Sequence, residues 1–184
     1  MNKKITILLL LAILSILTIT ISYSYQIIKF KADNIITFGS IKMRLVQKEV
    51  VNSREVLIDN KNKINITGKE EVKRFVYVEN LGIESIFVRV SLDVFVTKNS
   101  NKILKDNLIN FDFDTENWVY KDGWYYYKGL LKGEEKTTHL FDKMLFNIQN
   151  SELKGTIDLD IVVQAVQASN NSDNAIEAEG WPSK

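Results

Sequence analysis

Residue types that commonly carry catalysis are scarce in this 184-residue chain, which has no cysteine and one histidine, His139. A hydroxyl or thiol nucleophile needs an activating base beside it, and His139 lies in a strand-like Thr-Thr-His-Leu-Phe stretch with no motif around it. A zinc peptidase needs two histidines one helical turn apart with a glutamate between them. We therefore predict that the chain is not an enzyme and has no catalytic, cofactor or metal residues. His139 is given a structural or surface role.

Carboxylates cluster in two places, at Asp112, Asp114 and Glu116 and at Asp158 and Asp160. Oxygen ligands of this kind suit calcium, and two carboxylates at a fixed separation can serve a glycosidase. Neither cluster has the glycine-containing loop or the ligand spacing of a recognisable calcium site, and nothing in the sequence fixes the distance between the carboxylates. We interpret both clusters as solvated sheet faces, and weak calcium binding stays open.

An aromatic hairpin is predicted around Asp122-Gly123, which separates two short aromatic segments. Both turn residues tolerate positive φ, and this pair is a strong signal for a two-residue hairpin loop. In the resulting register Tyr120 faces Tyr125 and Trp118 faces Tyr127, with all four rings on one face. Such pairs stabilise a hairpin by about 0.2–1 kcal/mol each, so packing in the core explains them. The alternative is an exposed strip that binds sugar rings or a neighbouring subunit.

The segments that must position these residues alternate with a period of two. The clearest stretches run from Ile86 to Val96 and from Ile157 to Ala165, where apolar residues occupy every second position. Each such strand buries one face, as in two antiparallel sheets packed together. We predict an all-β fold, an antiparallel β-sandwich of jelly-roll type with eight or nine strands. One short helix is expected near Asn101–Asn110.

The N-terminus has the pattern of an export signal. Lys3 and Lys4 precede the 17-residue, mostly apolar run Ile5–Ile21, and Ser22 and Ser24 are small residues at the −3 and −1 positions of a signal-peptidase site. We predict a signal helix that is cleaved between Ser24 and Tyr25. The run also reaches the lower length limit for crossing a bilayer, so a retained membrane anchor is the alternative.

Composition sets the remaining limits. The net charge is +1 and no basic run interleaves with aromatic residues, so we expect no nucleic-acid partner. An exported chain without cysteine is stabilised by its core and not by disulfides. We divide the chain into a signal peptide (1–24), an N-terminal segment that is a candidate donor strand (25–34), a sandwich domain (35–168) and a polar, mobile C-terminal tail (169–184).

Several short stretches occur in an order that is typical of one family of exported proteins. They are Ser22-Tyr-Ser-Tyr25, Ile36-Thr-Phe-Gly-Ser-Ile41, Val76-Tyr-Val-Glu-Asn-Leu-Gly82 with Phe87-Val-Arg-Val90, Trp118-Val-Tyr-Lys-Asp-Gly-Trp-Tyr-Tyr-Tyr127, Leu131-Lys-Gly-Glu-Glu-Lys-Thr-Thr138 and Ile161-Val-Val-Gln-Ala-Val-Gln-Ala168. Together they span nearly the whole mature chain. They resemble the TasA/CalY (camelysin) family of matrix-fibre proteins from Gram-positive bacteria.

The resemblance implies a jelly-roll-like sandwich, export through a SipW-type signal peptidase and assembly into surface fibres by donation of an N-terminal strand. The assembly segment would then include Tyr25, Ile27, Ile28 and Phe30. Camelysin-type members are classed as metalloproteases, but this chain offers no residues to which a zinc site can be transferred. It also departs from the family where Gln26-Ile-Ile-Lys-Phe30 replaces the usual Asp-containing stretch.

These observations lead to one functional hypothesis with two rivals. The chain is predicted to be a secreted or cell-surface structural subunit of an extracellular, biofilm-matrix fibre that polymerises by strand donation. Its partners would be itself or a related subunit, the signal peptidase during export, and, as a further candidate, a cell-wall or matrix glycan. The rivals are a monomeric glycan-binding module and a camelysin-type metallopeptidase. The N-terminal segment has its own alternative, in which it inserts as the first strand of its own sandwich.

Overall fold

The computed structural model describes residues 35–38, 41–58, 64–65, 71–98, 101–104, 109–146 and 156–182. These residues form twelve strands and no helix. The strands are β1 Ile35–Phe38, β2 Ile41–Val51, β3 Arg54–Leu57, β4 Ile64–Asn65, β5 Glu71–Asn80, β6 Ile86–Lys98, β7 Asn101–Leu104, β8 Ile109–Phe113, β9 Trp118–Lys121, β10 Trp124–Tyr127, β11 Phe141–Phe146 and β12 Thr156–Gln167. The all-β prediction is confirmed.

The first sheet has the strand order β1-β2-β5-β11-β8, and β3 pairs with the far half of β2. Its centre is the long antiparallel pair β2–β5, which runs from Met43 opposite Asn80 to Glu49 opposite Arg74. At the other side of the sheet, β11 pairs with β8 through a register shift between Phe141 and Met144. Among the described strands, β8 is therefore one edge of this sheet.

The second sheet has the order β4-β12-β6-β10-β9, with β7 also paired to β6. Its longest strand pair is β6–β12, which keeps one register from Thr97 opposite Thr156 to Ile86 opposite Gln167. Among the described strands, β9 is one edge of this sheet. All pairings in both sheets are antiparallel.

The main core lies between the two sheets and is built from the faces that the alternation predicts. Val88 and Val90 of β6 are fully buried, and Ile157 of β12 is 1% exposed. Val76 and Val78 of β5 meet them from the first sheet. Burying each such side chain contributes about 1.5–3 kcal/mol. The predicted inward faces of the two longest strands are confirmed.

The helix expected near Asn101–Asn110 is wrong. Asn101–Leu104 forms β7, which pairs with Phe95–Lys98, and β8 begins at Ile109. Both strands lie against the open side of a longer strand, and backbone pairing of that kind overrides a weak local helix propensity. Short edge strands of this type also raise the strand count above the predicted eight or nine.

The C-terminal residues that follow β12 do not form a free tail. Residues 169–181, here called the strap, lie on the outer face of the second sheet, with Ala175 and Ala178 only 1% and 7% exposed. The strap is polar in composition, but Ala175, Ala178 and Trp181 are spaced so that they share one side. Residues 169–181 therefore pack against the sheet, and their mobility stays a prediction.

The predicted signal helix and donor segment, residues 1–34, lie outside the described residues. Because the described part of the chain has no helix, it offers no helical segment long and apolar enough to cross a membrane.

Candidate functional site

The aromatic hairpin β9–β10 has the register that its turn predicts. Asp122 and Gly123 have φ values of 51° and 83°, the left-handed conformation that a two-residue type I′ turn requires at both positions. Tyr120 lies opposite Tyr125, and Trp118 lies opposite Tyr127. The two ring pairs have centroid separations of 4.9 and 5.2 Å. The predicted pairing is confirmed.

These four rings do not form an exposed strip. Trp118 is 3% exposed and belongs to the core, and Tyr125 and Tyr127 pack against it. Only Tyr120 is open to solvent, at 62%. Burial, together with the neighbouring Tyr120, raises the pKa of Tyr125 to about 12. The rings therefore hold the edge of the second sheet onto the core.

The backbone N–H and C=O groups of Tyr120 point away from the partner strand β10. In a two-residue hairpin the residues that flank the turn, Lys121 and Trp124, exchange hydrogen bonds, and the next pair does not. Tyr120 therefore directs its N–H and C=O to the outer edge of β9, where no described strand pairs with it. The geometry offers one donor and one acceptor for an added strand.

A second open edge lies beside the first. Among the described strands, β8 is one edge of the first sheet, and four residues separate its end from the start of β9. Phe113 of β8 stacks on Tyr125 of β10, with ring centroids 4.4 Å apart. Phe111 and Phe141 extend this aromatic cluster into the core. The two sheets thus present neighbouring edges over an aromatic interior.

Asp114 organises the turn between these edges. Its Oδ1 accepts hydrogen bonds from the backbone N–H groups of Glu116 and Asn117 at 3.1 and 3.0 Å, and its Oδ2 accepts from Asn117 Nδ2 and Thr138 Oγ1 at 2.8 and 2.7 Å. Desolvation acts to raise the pKa of Asp114, but these hydrogen bonds outweigh it and lower the pKa below the usual value. Asp114 is therefore a turn residue whose oxygens are already occupied.

The other acidic residues lie on solvated faces. Asp112 is within 3.7 Å of Lys143 Nζ, and Asp160 lies opposite Asp93 across the β6–β12 pair. Among the described residues, no group of three or more histidine, aspartate or glutamate side chains is placed to hold a metal ion.

His139 belongs to a surface cluster on the first sheet. Its ring stacks on Phe75 at 4.9 Å and lies 5.4 Å from the ring of Tyr77. Its Nδ1 is 2.6 Å from Asp142 Oδ1, and the side chain is 41% exposed. These contacts fit the structural or surface role that the sequence suggested.

Two of the ordered sequence motifs meet at Asn80, which is 1% exposed. Its Nδ2 donates to the carbonyl oxygens of Glu84, Leu131 and Lys132 at 2.7, 3.2 and 3.1 Å. Its Oδ1 accepts from the N–H of Gly82 at 3.0 Å. One amide thus joins the loop after β5 to the loop before β11. Sequence reasoning missed this role, although a buried strand that ends in Asn-Leu-Gly is a signal for it.

The close packing of these loops also explains Gly133. A Cβ at that position would lie 2.6 Å from the carbonyl oxygen of Ile83, which is too close for any side chain. The two motifs are therefore parts of one loop cluster that closes an end of the sandwich.

The remaining predicted site residues, at the cleavage point and in the assembly segment, lie outside the described residues. They are Ser22, Ser24, Tyr25, Ile27, Ile28 and Phe30. The strap contact around Arg89 and Trp181 is a site that the sequence analysis did not identify.

Comparisons with known proteins give no relative. No protein-family model, curated protein or solved structure matches this chain.

Proposed function

We propose that the chain is a secreted structural subunit of an extracellular fibre, with a jelly-roll-type sandwich that polymerises by strand donation. The observation that supports this best is the pair of neighbouring open edges, β8 and β9, above the aromatic cluster. The unpaired N–H and C=O groups of an exposed strand edge can pair with a strand of another chain. Here one edge carries the outward backbone groups of Tyr120, and the other ends at Phe113.

The donated strand would come from the N-terminal segment. Residues 25–34 precede β1, an edge strand of the first sheet, and they carry Tyr25, Ile27, Ile28 and Phe30. An extended apolar segment that joins a sheet edge gains main-chain hydrogen bonds and side-chain pockets together. Such a contact is head-to-tail, and it therefore produces an open filament and not a closed dimer.

The order in which the chain visits the two sheets supports the jelly-roll type. The connections β5–β6, β7–β8, β8–β9, β10–β11 and β11–β12 all pass from one sheet to the other. Connections of this kind build Greek-key sandwiches and jelly rolls, whereas a simple meander stays within one sheet.

The rival functions have less support. A glycan platform needs several exposed rings on one surface, and three of the four hairpin rings pack against the core. A metallopeptidase needs a ligand cluster, and the described residues contain none. The experiment that follows distinguishes both of these functions from that of a fibre subunit.

Analytical ultracentrifugation of the mature chain, over a wide range of protein concentrations, tests the proposal. We expect species that grow with concentration into long polymers visible by electron microscopy. A single monomer at every concentration would overturn the proposal. Binding of that monomer to cell-wall polysaccharide would then favour the glycan module, and chelator-sensitive digestion of casein would favour the peptidase. N-terminal sequencing of the secreted form tests export, which predicts Tyr25 as the first residue.

A further inference from the structure

The outer face of the second sheet carries its own small apolar cluster, separate from the main core. Phe87, Trp124, Tyr126 and Val166 form the sheet side of this cluster, and the strap covers them. The strap supplies Ala175, Ala178 and Trp181. Two of these three side chains are single methyl groups, so most of the apolar area that the strap contributes comes from Trp181.

Trp181 binds the sheet through Arg89. The Arg89 guanidinium carbon lies 4.2 Å from the ring centroid of Trp124 and 4.5 Å from that of Trp181, so the cation is held between two indoles. Arg89 Nε and Nη2 donate to Gln164 Oε1 at 2.9 and 2.6 Å, and Nη1 donates to the hydroxyl of Tyr126 at 3.2 Å. Arginine favours such stacked positions because its guanidinium is planar and weakly hydrated.

The strap has its own internal structure. Asn171 donates to the carbonyl oxygens of Gln167 and Glu179 and accepts from the N–H of Glu179. Asn174 Oδ1 accepts from the N–H groups of Ile176 and Glu177. These hydrogen bonds join residues within the strap or link it to Gln167, the last residue of β12. They therefore remain if the strap leaves the sheet.

The docked state of the strap also carries an unsatisfied group. The indole Nε1–H of Trp181 is buried and has no hydrogen-bond partner among the described residues. In solvent this donor would bind water, and its burial therefore weakens the docked state. One large anchor, two alanines and an unsatisfied donor make a contact that opens more easily than the core.

The strap contact lies on the back of the aromatic hairpin. Along β10, Trp124 and Tyr126 face the strap, and Tyr125 and Tyr127 face the main core. Val119 of β9 also packs against the strap cluster. The edge hairpin is thus held between the core and the strap.

We infer that the strap is a detachable brace, anchored by Trp181 on Arg89, whose docking rigidifies the edge hairpin β9–β10. When the strap is docked, the hairpin is fixed on both faces. When the strap is released, only the core side holds it. The brace is a property of the monomer, so it does not depend on whether the chain forms fibres.

Hydrogen exchange of the full mature chain, followed by mass spectrometry, tests this inference. In Trp181→Ala we expect exchange about tenfold or more faster in both the strap and the hairpin, with β2 and β5 unchanged. Trp181→Phe retains a ring over Arg89 and should recover most of the protection. Ile176→Ala, at a 37% exposed position of the strap, is the matched control and should behave as the native chain.

Two results would overturn the inference. Faster exchange in the strap alone would show that docking does not brace the hairpin, and equal loss of protection in both sheets would make the strap part of the core. If Trp181→Ala does not fold, the native chain in low urea provides the same test. The strap and the hairpin should then open at lower urea than β5, and a single common opening would contradict the brace.

Discussion

Phe113 of the first sheet stacks on Tyr125 of the second, with ring centroids 4.4 Å apart and planes inclined by 25°. This contact ties β8, an edge strand of the first sheet, to β10, which pairs with the edge strand β9 of the second. It lets the sandwich keep two short edges close to each other without a covalent link. The proposed strand donation depends on these two neighbouring edges.

The outward N–H of the β9 edge can be removed without breaking a hydrogen bond of the hairpin. Tyr120→Pro removes the outward N–H, and proline is tolerated on a strand edge whose N–H faces solvent. We expect this variant to fold and to lose most of its polymerisation. Tyr120→Thr keeps the N–H and the β propensity, and it should polymerise like the native chain. Sedimentation velocity compares the three, and equal polymerisation of all of them would exclude β9 as the acceptor edge.

Asn80→Ala should be strongly destabilising. It removes the amide that joins two loops and leaves buried carbonyl oxygens without their donor, a loss of about 2–3 kcal/mol in the free energy of unfolding. Asn110→Ala, at an exposed position of β8, removes the same group and should cost under about 0.5 kcal/mol. Urea denaturation measures both, and similar losses at the two positions would contradict the assigned role of Asn80.

Asp114 should make stability depend on pH in acid. Its folded pKa is lowered, so its contribution is complete above the unfolded pKa of about 3.9 and is lost as the pH falls through the folded value. In Asp114→Asn we expect a loss of about 1 kcal/mol at pH 7, because the site is open to solvent screening. Thermal melts from pH 7 to pH 2 test this. The difference in melting temperature between the native chain and the variant should disappear in acid. A difference that grew as the pH fell would contradict the lowered pKa of Asp114.

Arg74 is a cation buried in the described part of the protein. It is 3% exposed, and its Nε has no hydrogen-bond partner in the part of the chain that the structure describes. Its Nη2 donates a hydrogen bond to Gln47 Oε1 at 3.0 Å. Burial lowers its pKa to about 10. Replacing such a group by an apolar one of similar volume is often neutral or stabilising, whereas removing its partner alone is costly.

Gln47→Leu alone takes a hydrogen bond from a buried cation, and we expect it to reduce the free energy of unfolding by about 2–3 kcal/mol. Arg74→Met alone takes one hydrogen bond from a neutral amide, and we expect it to reduce the free energy of unfolding by about 1 kcal/mol. Adding Arg74→Met to Gln47→Leu should recover much of the loss that Gln47→Leu causes. Urea titrations of the three variants give the ranking. The opposite order for the two single variants would show that Arg74 has a stabilising role.

The sequence predicted the parts of the fold that depend on local rules. Alternation placed Val88 and Val90 in the core, and Asp122-Gly123 alone determined which tyrosines face each other. The strands β7 and β8 were missed because their short segments have little pattern of their own and are held by neighbours distant in the chain. The hydrogen bonds of Asn80 to Leu131 and of Arg89 to Gln164 were missed for the same reason, since each joins residues more than 30 positions apart. The three-residue spacing of Ala175, Ala178 and Trp181 was a signal for the strap.

Electron microscopy of the mature chain, compared with a chain that lacks Tyr25–Ala32, tests the central claim most directly. If the N-terminal segment is donated to a neighbour's edge, the mature chain forms filaments and the truncated one is a folded, soluble monomer. Filaments from the truncated chain would contradict assembly through this segment. An unfolded truncated chain would contradict it as well, because the segment would then belong to its own sandwich.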